Sequence, residues 1–237
     1  MSHLDRAANR IADVVTAAVE RVFACVADLH DAALAALGAG GHAPAGPEEL
    51  EARARALLGA PGQLAVGLGL VAAPAPHRDA RLLWWQAEPD GGRVTALRPD
   101  LRPASLDFYD YTATDWFDVP RRTGRRHVVG PYVDVHGTGR YLLTLTAPLV
   151  GGAEFLGVVG ADVPVNRFEN HLLRALEADS GAVVLNDEGR VVLSTSPRWL
   201  VGDLLATPPG SSGAPVDVPG LPWRLYLPAS EHRALAL

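Results

Sequence analysis

Between Tyr109 and Asp162 the sequence concentrates aromatic rings and carboxylates. It runs Tyr109-Asp110-Tyr111, then Asp115-Trp116-Phe117-Asp118, then Tyr132-Val133-Asp134, and ends an apolar stretch with Asp162. Aromatic walls with a few fixed charges suit a pocket for a small polar molecule. Carboxylates beside aromatic faces suit an ammonium group in particular, through charge-assisted hydrogen bonds and cation–π attraction. The candidate ligand contacts are Tyr109, Tyr111, Asp115, Trp116, Phe117, Tyr132, Asp134 and Asp162, with Trp84 from an earlier Trp-Trp pair and Thr146 from a Thr-rich strand. Each has a plainer alternative. Trp116, Phe117 and Tyr132 could be core, Asp134 a turn residue, and Asp162 the N-cap of the helix that follows. Only one of Tyr109 and Tyr111 is expected to face inward. The adjacent Trp84 and Trp85 point to opposite faces of a strand.

No set of groups suited to bond-breaking accompanies these residues, which points to a binding module rather than an enzyme. No Gly-x-Ser-x-Gly elbow and no His-Glu-x-x-His helix occurs. Lysine is absent, all 21 basic side chains being arginine, so a P-loop lysine and a Schiff base are both excluded. Gly67-x-Gly69-x-x-Ala72 imitates a dinucleotide fingerprint, but Pro74 and Pro76 forbid the helix that motif requires. His127, Asp134 and His136 lack a further ligand at useful spacing and read as solvated loop residues, so no metal and no cofactor is expected. Arginines 121, 122, 125 and 126 read as a solvated loop, or as a docking patch for an acidic partner.

The 237 residues can bury a sizeable core, in one domain or two small ones. A net charge of -6 gives no reason to expect nucleic acid. Cys25 is the single cysteine and sits in an apolar helical stripe, so no intrachain disulfide marks an oxidising compartment. Asp5, Arg6, Arg10 and Asp13 interrupt the start, so no signal peptide is read there, and no uncharged apolar run of about 18 residues occurs anywhere. No membrane contact is expected, and the default location is the cytoplasm.

These side chains need elements to position them. Residues 3–37 read as one long helix with Ser2 as N-cap, ended by Gly38, Gly40 and Gly41. Leu4, Ala8, Ile11, Val15, Ala18, Val22, Cys25 and Leu29 form a heptad seam along it, which suits a homodimer or packing on the chain's own domain. Residues 48–58 form a second helix. Strands are expected at 64–73, 82–87 and 93–97, with Asp90-Gly91-Gly92 as a turn. Short helical turns occupy 105–118, broken by Pro120 and Gly124. An extended segment at 127–134 precedes strands at 140–150 and 154–163, joined by Gly151-Gly152, and Pro164 starts a helix ending near 179–181. A smaller β unit follows: a hairpin of 182–186 with 190–194, a flexible loop at 208–213, and 216–218 pairing with 223–227 across Pro219-Gly220. The fold class is α+β. The divisions are 1–46 for the long helix and linker, 47–178 for the ligand-binding unit, 179–228 for the second unit and 229–237 for a tail.

This order of elements, with Trp116-Phe117, Pro131-Tyr132-Val133-Asp134 and Gly157-Val158-Val159-Gly160-Ala161-Asp162, resembles the Cache family of PAS-like ligand sensors, and more closely its double-Cache type. The resemblance covers roughly residues 1–200. It implies a PAS-like unit with a central antiparallel sheet, a pocket between that sheet and the aromatic helical segment, and a second, smaller PAS-like unit. Amino-acid-binding members carry Tyr-x-x-x-x-Arg-x-Trp-Tyr at this place, the arginine gripping the ligand carboxylate and later aspartates its ammonium group. Here Tyr109 is followed by Thr114 in the arginine's place and by Trp116-Phe117, while Asp134 and Asp162 are kept. The resemblance therefore implies a sensor of a small amine, polyamine or amino-acid-like metabolite, signalling through a dimer mate or a separate regulatory protein. A small carboxylate such as lactate, pyruvate or acetate, held by Arg140 or His127, is the alternative; an enzyme on a PAS-like frame is the second.

Overall fold

In the computed structural model, residues 3–38, 46–74, 81–88, 93–135, 137–176, 181–210 and 214–227 are described. Ser2, Gly40, Gly41, Pro76, the 90–92 turn, His136, the 179–180 helix end, residues 211–213 and the 229–237 tail lie outside them. Two compact units emerge, Arg21–Pro164 and a second made of Met1–Glu20 with Val165–Leu237. Compared with the expected divisions, the helix after Pro164 groups with the smaller unit, and the long first helix divides between both.

In the unit Arg21–Pro164, six strands form one antiparallel sheet: β1 (Gly67–Ala72), β2 (Arg81–Ala87), β3 (Val94–Ala96), β4 (His127–Val133), β5 (Tyr141–Gly151) and β6 (Glu154–Pro164), in the order β3-β2-β1-β6-β5-β4. β1 is central and buried along its whole length, as its unbroken apolar run requires. One face carries Val71, Trp84, Val158, Thr144 and Asp162, and the segment between β3 and β4 covers it. That segment contributes a 3-10 turn (Tyr111–Ala113) and helix α3 (Asp115–Thr123). The helix α2 (Pro47–Leu58) packs near β1 and β2, burying Leu50, Ala54 and Leu58. Pro47 opens α2, where a missing N–H costs nothing, with Glu48 and Glu49 in the first turn and Arg55 in the last.

α3 runs three residues past the expected break at Pro120. A proline inside a helix leaves the carbonyl four residues earlier without its N–H partner. That carbonyl belongs to Trp116, and the buried Thr146 hydroxyl donates to it at 2.6 Å. The helix survives its proline because β5 supplies the missing donor, and it ends at Gly124, in the left-handed region at φ 65°.

The first helix, α1 (His3–Ala36), forms as its heptad pattern predicts. Ala8, Ile11, Val15, Ala18, Val22 and Leu29 are all buried within the chain itself. The seam read as a dimer surface is therefore already covered by the chain's own packing. Cys25 is half-buried rather than buried, and accepts a hydrogen bond from Gln63 Nε2 at 3.1 Å.

The other unit holds α4 (Val165–Ala175) and a four-stranded sheet of β7 (Val183–Leu185), β8 (Val191–Ser194), β9 (Val216–Asp217) and β10 (Arg224–Tyr226), in the order β8-β7-β10-β9. The apolar stripe of α4, Val165, Phe168 and Leu172, is buried, and Phe168 meets Trp223 edge-on with ring centroids 6.4 Å apart. Asn186 Oδ1 holds the β7–β8 turn by accepting from the N–H groups of Glu188 and Arg190. β9 and β10 pair across Pro219-Gly220 as expected.

Leu29 tests the packing of α1. Leu29→Ala should cost about 2–5 kcal/mol by cavity formation, measured by urea unfolding, with a midpoint independent of protein concentration. A midpoint that moves with concentration would show that Leu29 packs between chains instead.

Candidate ligand-binding site

The covered face of the sheet is built around an absence of side chains. Gly67 and Gly69 on β1 and Gly160 on β6 leave bare backbone in the middle of the sheet. Trp84 on β2 lies over this trough and reaches across β1 to β6, where its Nε1–H donates to Asp162 Oδ2 at 3.1 Å. A Cβ on Gly67 would sit 2.7 Å from Trp84 Nε1 and 2.9 Å from Asp162 Oδ2. One on Gly160 would sit 3.3 Å from the far edge of the Trp84 ring. Of the two glycines that imitated a nucleotide fingerprint, Gly67 thus serves the approach of an indole to a carboxyl group, and Gly69 the close approach of the β2 backbone at Leu83 and Trp84.

The second Asp162 oxygen accepts from Thr144 Oγ1 at 2.7 Å, and Thr144 Oγ1 lies 2.9 Å from the Tyr132 hydroxyl. Thr144 has one proton to give. While Asp162 is ionised, Thr144 donates to it and Tyr132 must donate to Thr144, so the three groups form a relay whose direction is set by the state of Asp162.

Two irregularities bring this set onto one face. β5 and β6 pair Val150 with Phe155 next to the turn, but Leu149 with Gly157, one residue out of step. Gly157 takes φ 145° at this point. Without that shift Asp162 would oppose Leu143 and point away; with it, Asp162 opposes Thr144. Likewise β4 pairs Val129 with Thr144 but Tyr132 with Leu142, the extra residue falling at Gly130-Pro131. This bulge turns Tyr132 onto the same face.

A small cavity of about 30 Å³ opens among these groups, lined by Val71, Leu82, Trp84, Leu97, Tyr109, Trp116, Tyr132, Asp134, Gly137, Thr144 and Asp162. Asp134 is 8% exposed and lies in the β4–β5 turn, its carboxylate accepting from the N–H groups of Gly137 at 3.2 Å and Thr138 at 2.8 Å. It is both turn residue and cavity wall. Asp162 is 6% exposed. Burial, reinforced by the charge of Asp134, pushes its carboxyl up to about 7, against the pull of Thr144, Trp84 and Arg140. Burial also holds the Tyr109 and Tyr132 phenols well above their usual range, so both are neutral hydrogen-bonding groups.

Of the ten expected contacts, Trp84, Tyr109, Trp116, Tyr132, Asp134 and Asp162 meet at this cavity. Four do not. Tyr111 is core: its hydroxyl donates to the Ala72 carbonyl at 2.7 Å and its ring packs on Trp116 and Phe117. Phe117 packs behind the site against Phe155. Asp115 is exposed in the first turn of α3, where a carboxylate complements the helix dipole. Thr146 faces the covered side but holds α3 in place through Trp116. Thr144, the missed residue, shares the Thr-rich strand and its face, and its direct pairing with Asp162 follows from the shifted register. The expected carboxylate partners are elsewhere: neither Arg140 nor His127 lines the cavity, and Arg140 donates to the Ala87 carbonyl at 3.1 Å. Arg121 and Arg122 fold back onto Asp118, which leaves the arginine run less free for an acidic partner.

A larger opening, about 330 Å³, lies between the 23–31 part of α1 and Ala147 and Val159 of the sheet. Its walls are mostly apolar, with Arg126 stacked 4.4 Å over the Phe23 ring and Asp31 against His30. The smaller cavity is the candidate site, because buried carboxylates and rings converge on it. Among the described residues no cluster of three or more His, Cys, Asp or Glu could hold a metal, and no helix is long and apolar enough to cross a membrane.

Residues 94–170, from β3 into α4, match the family described as methyl-accepting chemotaxis protein-like, first PDC sensor domain. No curated protein matches the sequence. Several solved structures share the fold. The ligand-binding domain of the Pseudomonas aeruginosa PAO1 amino-acid chemoreceptor PctC, in complex with GABA, is 20% identical, with 95% of this chain and 99% of that one covered and a TM-score of 0.60. The ligand-binding domain of the Pseudomonas fluorescens chemoreceptor CtaA, in complex with L-isoleucine, is 17% identical over 94% of this chain and 89% of that one, at 0.61. The extracellular domain of a histidine kinase, soHK1S-Z6, is 18% identical over 96% and 94%, at 0.64. The fold is therefore that of these ligand-binding and extracellular domains, and the stretch from β3 into α4 is similar to a first PDC sensor domain. The matched family and these neighbours are sensor domains, not enzymes. The architecture of the chain is α+β.

Two substitutions test the geometry. Gly67→Ala should force Trp84 and Asp162 apart, costing about 1–3 kcal/mol and shifting the Trp84 indole N–H resonance. Asp162→Asn should stabilise the protein in alkali. A carboxyl raised from 3.8 to about 7 makes folding take up a proton between those values, so stability falls as pH rises through that window and the whole cost stands above it. The variant should exceed wild type by about 2–4 kcal/mol at pH 8 and lose that advantage towards pH 4, in urea unfolding at the two pH values.

Proposed function

We propose that the chain senses a small cationic amine, which places its ammonium group between Asp134 and Asp162 and against the rings of Trp84, Tyr109, Trp116 and Tyr132. The convergence of two carboxylates and four aromatic rings on one cavity, with no basic residue among the described residues of its lining, carries this reading. A cation gains charge-assisted hydrogen bonds and cation–π attraction there, whereas an anion would meet two acids and no basic group. The size agrees. About 30 Å³ takes an ammonium-sized head, far less than the roughly 150 Å³ that holds a benzene ring.

The related receptor domains are described with GABA and L-isoleucine, both of which carry an ammonium group. Where amino-acid-binding Cache domains place an arginine for the carboxylate, this chain has Thr114, whose hydroxyl donates to the Tyr111 carbonyl at 2.6 Å and which does not line the cavity. A plain amine, or a diamine whose second end projects out of the cavity, fits better than an α-amino acid. Binding would favour one pre-existing conformation of the segment covering the sheet, and a separate regulatory protein or a second copy would read that change.

Calorimetry against methylammonium, ethanolamine, putrescine, GABA, acetate and lactate tests this. Amines should bind and simple carboxylates should not. Asp162→Asn and Asp134→Asn should each weaken amine binding about tenfold or more, as expected for a lost hydrogen bond to a charged group. Tight acetate or lactate binding that survives Asp162→Asn would overturn the reading.

A further inference from the structure

Among the described residues, no counter-charge is in direct hydrogen-bond contact with Asp162. Its two hydrogen-bond donors, Trp84 Nε1–H and Thr144 Oγ1–H, are neutral. The titratable and charged groups that bear on it come from several elements. Asp134, in the β4–β5 turn, repels its charge. Tyr132 on β4 and Tyr109 on the covering segment are neutral phenols. Arg140, at the start of β5, attracts it more weakly than the other influences and is hydrogen-bonded to Ala87. Two carboxylates facing one narrow cavity are costly to ionise together unless a cation lies between them.

Resting on the amine reading, we propose that the site exchanges a proton for its ligand: the empty cavity holds Asp162 as the neutral acid, and an ammonium-bearing ligand takes its place beside the carboxylate as that proton leaves to solvent. The step balances. Asp162–COOH and R–NH3+ give the carboxylate–ammonium pair and one released proton, with no other bond made or broken.

The hydrogen-bond relay accommodates both states. Trp84 can only donate, so it fixes Oδ2 as an acceptor throughout. In the ligand-bound state Tyr132 donates to Thr144 and Thr144 to Asp162 Oδ1. In the empty state the protonated Oδ1 donates to Thr144, Thr144 donates to Tyr132, and the Tyr132 O–H turns to another acceptor. Ligand binding thus removes the Asp162 O–H on β6 and re-aims two hydroxyls, Thr144 on β5 and Tyr132 on the bulged strand β4. The ammonium group is selected over a neutral isostere because only a cation offsets the second negative charge.

The test starts from the free protein. The Trp84 indole N–H, assigned by its loss in Trp84→Phe, is followed by 1H–15N NMR across pH 4–9. A midpoint near 7, absent in Asp162→Asn, is expected; a midpoint near 4 overturns the exchange and leaves amine binding to be judged by calorimetry alone. With saturating methylammonium the midpoint should drop below about 5, and calorimetry in two buffers of different ionisation heat should count close to one proton released at pH 6. Methylammonium affinity should then fall about tenfold per pH unit below 7. Bound methylammonium with an unmoved midpoint, or with no proton release, overturns the proposal. Failure of every amine to bind, with the free-protein midpoint still near 7, overturns both the amine reading and the exchange built on it.

Discussion

A carboxyl group buried in the middle of a β-sheet is the constraint around which this unit is organised. Asp162 cannot be left without donors in that environment, so an indole is brought across a whole strand to reach one oxygen and a threonine hydroxyl is placed against the other. The indole can lie there only because the strand it crosses carries glycine, and the hydroxyl faces correctly only because the β5–β6 register slips by one residue. Features that look like separate peculiarities of the sequence, the Gly-x-Gly of β1, the tryptophan pair of β2 and the threonines of β5, answer one electrostatic requirement.

The covering segment is held by a parallel economy of donors and acceptors. Pro120 removes an N–H from α3 and frees the Trp116 carbonyl, and Thr146 satisfies it from the sheet. Tyr111 anchors the preceding turn through the Ala72 carbonyl at the end of β1. Trp116 is therefore fixed against the sheet at its backbone, while its ring forms one wall of the cavity. Alternate threonines on one strand divide the work: Thr144 orients the buried acid, and Thr146 orients the wall opposite it.

Under the proposed exchange, such a site favours ligand response over stability. An isosteric amide at Asp162 would keep both hydrogen-bond partners, with Trp84 donating to its carbonyl and its amide donating to Thr144, and would carry no buried charge. Retaining an acid there burdens the folded state at neutral pH, and in the proposed exchange an arriving cation offsets that burden. That difference between empty and occupied cavity is what a sensor requires, because a ligand moves a conformational equilibrium only as far as it distinguishes the two states.

Much of the fold was legible in the sequence. Apolar periodicity and turn residues located the long first helix, nearly every strand and the helix after Pro164, because local side-chain pattern and backbone preference agree in those segments. Residue chemistry also singled out six of the side chains that meet at the cavity. Facing was not legible where register decides it. A one-residue slip inverts every side chain beyond it, and the slips at Gly157 and Gly130-Pro131 exist only once strands are paired. Equally, the heptad seam of α1 states that one helix face must be covered but not by what; the chain's own packing covers it. The sequence alone determined which residue types were available to hold a cation. Tertiary structure decided that Asp162, Thr144 and Tyr132 meet on one face, that Thr146 on the same face holds α3, and that Tyr111 and Phe117 pack behind the cavity, because strand register and the bridging of bare glycines are properties of neighbours distant in the chain.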